Sequence, residues 1–87
     1  MYKVTVKNRV LKNIKTMPVH IQEQMALLVD DIESGGPVQA DWKNYGKLAE
    51  NLYHCHLSYK WVACWCCDKN SMDIEVYYAG SRENAPY

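Results

Sequence analysis

Between Asn51 and Cys67 the chain reads NLYHCHLSYKWVACWCC, which gathers two histidines, a lysine and four cysteines into one short stretch. Two chemistries suit such a set. Histidine is matched to acid–base work near neutral pH, and lysine supplies positive charge to a developing phosphorane. Histidine and cysteine are also ligands of zinc. A third reading carries no chemistry: a solvated sheet face on which histidines happen to lie, backed by a cysteine-rich core.

The stretch alternates as a strand pair does. A three-residue loop at Leu57-Ser58-Tyr59 sets His56 opposite Lys60, His54 opposite Val62 and Leu52 opposite Cys64. One face then carries Leu52, His54, His56, Lys60, Val62, Cys64 and Cys66. The other carries Tyr53, Cys55, Leu57, Trp61, Ala63 and Trp65, a set suited to packing under helices. A two-residue loop would bury Lys60 beside Cys55, where an unpaired ammonium costs several kcal/mol or loses its proton. For a metal, His54 and His56 share a face with Cys64 as a diagonal neighbour. Paired CxxC knuckles and a nearby acid are missing, and Cys67 points away.

The ending YYAGSRENAPY delivers Arg82, Glu83 and Tyr87 from a last strand adjoining the one led by Lys60. The planar fork of arginine suits phosphate oxygens, and Tyr87 can stack on a base. Taken alone, the same residues read as a solvated tail.

The elements that must position these groups are legible upstream. In YKVTVK, Tyr2, Val4 and Val6 face one way and Lys3, Thr5 and Lys7 the other, the pattern of a half-buried strand. From Asn8, a candidate cap, the period lengthens: Val10, Leu11, Ile14 and Met17 form an apolar stripe. Pro18 ends this helix or opens the next. Ile21, Met25, Leu28 and Ile32 mark a second helix, stopped by Ser34-Gly35-Gly36-Pro37. Residues 35–48 read as a loop anchored by Trp42, Tyr45 and Leu48. Strand-like runs follow at about 50–57, 59–67 and 72–79, the last two joined by a turn at Asp68-Lys69-Asn70-Ser71. The order predicts an α+β domain in which a helical hairpin covers one face of a mostly antiparallel sheet.

With 87 residues the chain makes one domain, 1–87, and its 48% hydrophobic and 23% charged residues are those of an ordinary globular protein. No apolar run approaches the roughly 18 residues of a membrane span. The segment MYKVTVKNRVLKNIK lacks a signal-peptide pattern, so a cytoplasmic protein with reduced, buried thiols is expected. The net charge of zero is unevenly laid out. Lys3, Lys7, Arg9, Lys12 and Lys15 precede the acidic run Glu23, Asp30, Asp31, Glu33 and Asp41, which gives either two solvated helix faces of opposite sign or a basic lip for a polyanion.

Element order together with KNRVLKNIKTMP, GKLAENLYHCHLSYKWVACW and IEVYYAGSRENAPY resembles the RelE/ParE toxin superfamily, and within it the RelE/HigB-type ribosome-dependent mRNA interferases. The resemblance spans nearly the whole chain. The family's basic strand residues fall on Tyr53-His54-Cys55-His56-Leu57 and Tyr59-Lys60-Trp61-Val62. Its basic residue after the last strand falls on Arg82, and its C-terminal tyrosine on Tyr87. Here histidines stand where the family has strand lysines, and Lys60 where it has an arginine. The resemblance implies a RelE-like fold and an endoribonuclease that cleaves mRNA in the ribosomal A site without metal or cofactor, by attack of the ribose 2′-hydroxyl on the adjacent phosphate. It also implies a cognate antitoxin, with a helix-turn-helix domain, through which alone the toxin would meet operator DNA. His54 and His56 are then candidate base and acid, Lys60 and Arg82 stabilise the phosphorane, and Tyr87 orients the base. The alternatives are a ParE-like gyrase inhibitor or an inactive relative that only binds its antitoxin, and, further off, a small metal-binding protein.

Overall fold

The computed structural model describes residues 1–68 and 70–87. Its elements run β1 (Lys3–Val6), α1 (Asn8–Ile14), α2 (Val19–Gly35), β2 (Gly46–Ala49), β3 (Leu52–His56), β4 (Trp61–Cys67) and β5 (Asp73–Ser81). The five strands form one sheet in the order β1-β5-β4-β3-β2. Consecutive strands β2 to β5 pair antiparallel, and β1 joins β5 in parallel at the far edge. This is the expected α+β architecture with one more strand. The turn expected over 68–71 includes Lys69, which lies outside the described residues.

α2 forms because its apolar residues recur on one stripe: Ile21, Met25, Leu28 and Ile32 are all at most 2% exposed. Pro18 stands at its N-cap with extended backbone, and so opens this helix. α2 ends at Gly35, and Gly36 follows at φ 90°, a left-handed value natural to glycine. The close approach there is equally demanding, since a Cβ on Gly36 would stand 2.8 Å from the Tyr2 ring. α1 departs from expectation in two details. Asn8 is its first helical residue, Lys7 holds the cap position without a side-chain bond, and Leu11 stays 43% exposed while Val10 and Met17 are buried. Val10 and Ile14 of the stripe do reach the core. Asn13 Nδ2 donates to the Ala79 carbonyl at 2.8 Å, closing the β5 edge beyond the reach of β1.

The stripe of α2 packs on Tyr53, Cys55, Leu57, Ala63, Trp65, Cys67, Ile74, Val76 and Ala79, which form one core with the helices. Tyr45, Tyr53 and Trp65 stack in series, with centroids 6.4 and 6.2 Å apart. The Trp65 indole donates to the Pro37 carbonyl at 3.0 Å, pinning the segment after α2. Residues 35–48, expected as a loop, supply β2 at the sheet edge. Trp42 and Tyr45 pack against the core as anchors, whereas Leu48 is half-buried within β2.

The β3–β4 register differs from expectation by two residues. His56 lies opposite Val62, His54 opposite Cys64 and Leu52 opposite Cys66. The Leu57 and Ser58 N–H groups both reach the Trp61 carbonyl, at 2.8 and 3.2 Å, and hold Lys60 in the loop outside the ladder. A shift of two keeps every paired side chain on its expected face, because the side-chain period is two. Lys60 is therefore not opposite His56.

Candidate functional site

The sheet face away from the helices carries His54, His56, Val62 and Cys64, and much of it is closed. Val62 and Cys64 are fully buried, and His56 is 9% exposed. A bulge between Cys64 and Trp65 breaks the β4–β5 alternation, and Tyr77 at that bulge interacts with the Cys64 thiol. Tyr87, the last residue, returns to the same face and sets its ring 4.7 Å from that of His54, tilted 41°.

The two histidines have different surroundings. His54 pairs with Gly46 of β2, and a Cβ there would stand 3.1 Å from its Nε2, so glycine lets the imidazole lie against the edge strand. Its Nδ1 is buried and has no hydrogen-bond partner among the described residues. Burial lowers the His54 pKa below the ordinary histidine value. His56 is lowered as well, first by burial and then by the charges of Arg82, His54 and Lys43. Both shifts favour the neutral ring.

For His56 the tautomer follows from its partner. Asn44 Nδ2 lies 3.3 Å from His56 Nδ1. An amide nitrogen only donates, so Nδ1 accepts, and the neutral ring carries its hydrogen on Nε2. Asn44 reaches this position through a left-handed backbone, φ 54°, which asparagine tolerates better than most residues. The neighbouring Lys43 carbonyl accepts the His56 N–H at 2.8 Å, so the 43–44 turn clamps His56 through both backbone and side chain.

Arg82 lies close enough to His56 to lower its pKa, while its guanidinium carbon stands 5.1 Å over the Tyr59 ring. The Arg82 N–H donates to the Lys60 carbonyl at 2.8 Å, continuing the β4–β5 pairing by one rung. The Lys60 side chain is exposed and lines a separate cavity with Tyr59, Trp61, Ser81, Arg82 and Glu83. Of the five residues singled out by sequence, His54, His56 and Tyr87 lie on one face, and Arg82 stands with Lys60 at its margin, near enough for its charge to act on His56. Lys43, Asn44 and Tyr77 were not foreseen. The Asn44-Tyr45-Gly46 turn signal was present, but nothing in it points to a histidine twelve positions away.

The metal alternative required His54, His56 and Cys64. Cys64 faces Tyr77, and burial pushes its thiol up to about 12, far from thiolate. Among the described residues no three histidine, cysteine, aspartate or glutamate side chains converge as ligands would. The four cysteines are free thiols. No helix among the described residues is long and apolar enough to cross a membrane.

Neither protein-family models nor curated proteins give a match to this chain. Solved structures do. The chain of a RelE–RelB complex from Pyrococcus horikoshii OT3 superimposes with a TM-score of 0.76 at 15% identity, covering 97% of this chain and 98% of that one. The isolated Escherichia coli RelE toxin gives 0.73 at 16% identity over 99% and 89%. The YoeB dimer of Staphylococcus aureus gives 0.71 at 13% identity over 91% and 94%. The chain therefore shares the fold of these RelE and YoeB structures. At such identities the likeness is one of fold, shared across these toxins without singling out one subtype.

Proposed function

We propose that this protein is the toxin of a toxin–antitoxin pair, an endoribonuclease of the RelE/HigB type that cuts mRNA on the ribosome. The observation that carries the reading is that Tyr87 sets its ring on His54, with His56 beside it and the Arg82 charge at the margin, on the sheet face turned away from the helices. The reaction asked of them is transesterification. The ribose 2′-oxygen bonds to the adjacent phosphorus and the P–O5′ bond breaks, leaving a cyclic phosphate and a 5′-hydroxyl. A neutral imidazole takes the 2′-hydroxyl proton and the imidazolium returns it to the departing oxygen. His54 is the candidate base through Nε2, since its Nδ1 is buried out of a substrate's reach. His56 presents Nε2–H as a donor to the phosphate. Arg82 meets the charge that develops on the phosphorane, with Lys60 as a more distant cation, and Tyr87 holds the base beside the cut by stacking.

An antitoxin must cover or displace this face, and the basic N-terminal helix beside it suits an acidic or amphipathic segment. Co-expression with the product of the adjacent gene should yield a complex and relieve growth arrest. The net charge of zero favours a second reading, a toxin-fold protein that binds its antitoxin or gyrase without cutting RNA. The deciding assay is cleavage on programmed ribosomes. Arg82→Ala should reduce the rate by roughly 10²-fold, because such a charge acts mainly in the transition state. Arg82→Lys should recover only part, since lysine lacks the planar fork. Arg82 is exposed, so the melting temperature should hold in both variants. Wild-type protein that leaves mRNA intact would support the non-enzymatic reading.

A further inference from the structure

Beyond the hairpin end of the histidine face, Tyr59, Lys60, Trp61, Ser81, Arg82 and Glu83 line a cavity of about 350 Å³, within the size range of small-ligand sites. Its walls are fixed. The Lys60 and Arg82 backbones are joined by a 2.8 Å hydrogen bond, and Trp61 opposes Ser81 in the ladder. Tyr59 is 69% exposed, a large aromatic surface to leave in water on a tight loop. The Arg82 guanidinium over the ring holds its orientation. Glu83 lines the cavity with Lys60 and Arg82, yet among the described residues no ion pair joins it to either. The pocket thus offers an oriented π-face, an unpaired carboxylate and two cations.

We propose that this cavity is a nucleobase subsite that prefers guanine. A base of single-stranded RNA would stack on the free face of Tyr59, and the Glu83 carboxylate would accept hydrogen bonds from its Watson–Crick edge. Guanine alone presents two adjacent donors there, N1–H and the N2 amine, matched to the two oxygens of a carboxylate. Adenine and cytosine offer one amine beside an acceptor, and uracil one N–H between two carbonyls, which a carboxylate repels. Lys60 and Arg82 would take the flanking phosphate. Arg82 borders both this cavity and the histidine face, so the base read here belongs to a nucleotide next to the scissile phosphate. The inference rests on the RNA-cleaving reading for its biological meaning, but its binding step stands apart from cleavage.

The test is NMR titration of the protein with millimolar guanosine, adenosine, cytidine and uridine monophosphates, and with inorganic phosphate. Ring resonances of Tyr59 and Trp61 should move, with guanosine monophosphate binding most tightly. Tyr59→Ala should weaken all four nucleotides by roughly 10-fold or more, the usual worth of one stacked base. Glu83→Gln should keep binding and lose the guanine preference. Both residues are exposed, and each variant's thermal melt checks its fold. Unmoved Tyr59 and Trp61 rings, equal affinity for the four bases, or the same shifts from phosphate alone would overturn the proposal. Selective guanosine binding by a protein that never cuts ribosomal mRNA would instead uphold the subsite and remove the nuclease reading.

Discussion

A neutral imidazole has one lone pair, and at His56 Asn44 has taken it. That single bond decides which nitrogen can face a phosphate, and it was the part of the site least legible in the sequence. His54 and His56 could be read from alternation, because a period of two places them on one face whatever the loop length, provided its parity holds. Lys60 was drawn into the site by a loop two residues too short. Asn44 could not be found, because a loop residue twelve positions upstream becomes a neighbour only when the fold docks it. Its role is testable without any enzymatic assay. Nitrogen-15 NMR should find neutral His56 in the Nε2–H form in the wild type, and a mixture of tautomers in Asn44→Ala. In Asn44→Asp a carboxylate facing Nδ1 should favour its protonation and raise the His56 pKa against Arg82, Lys43 and His54, which now lower it. A tautomer indifferent to Asn44→Ala would mean that the rest of the pocket sets it.

At the scale of elements, the clearest signals were the longest. α2 announced itself through four apolar residues on one stripe, and β1 through strict alternation, since several residues must agree before a period can be seen. β2 has four residues with an irregularity between Lys47 and Ala49, too short and too broken to show a period. It forms because β3 offers an unpaired edge and the aromatic stack of Tyr45 on Tyr53 delivers the chain to it. The other join that matters lies at Gly36, where the end of α2 meets Tyr2 ahead of β1. The Tyr2 N–H donates to the Glu33 carbonyl at 2.9 Å, and the tyrosine ring fills the space a Cβ would need. Gly36→Ala combines a disfavoured φ with that contact and should destabilise the protein by about 1–3 kcal/mol. In a domain of this size each kcal/mol lowers the melting temperature by roughly 4–8 °C. A variant that melts with the wild type would show that Tyr2 swings aside at no cost.

At the scale of the molecule, the buried titratable groups set a pH window for stability. His54 and His56 are held below the ordinary value of 6.5, chiefly by burial. Around and below pH 6.5 the unfolded chain binds protons that the folded chain refuses. Their contribution is therefore complete above 6.5 and is lost as pH falls towards the lowered folded values. On the alkaline side the sign reverses. Cys55 and Cys64 are pushed up to about 12 from 9.0, and Tyr77 to about 12 from 10.0, burial being the largest cause for each. These groups ionise first in the unfolded chain, so stability is complete below 9 and declines as pH rises towards 12. Urea unfolding followed across pH should accordingly show a plateau from about 6.5 to 9 with a fall on either side. Because His56 is nearly enclosed, His56→Gln should flatten part of the acid limb and leave the alkaline limb unchanged. Cys64→Ala should ease the alkaline limb, through Cys64 itself and through Tyr77, whose pKa Cys64 helps to raise. An acid limb as steep in His56→Gln as in the wild type would assign that loss to other groups, and His56 would then be solvated well enough to meet substrate already protonated.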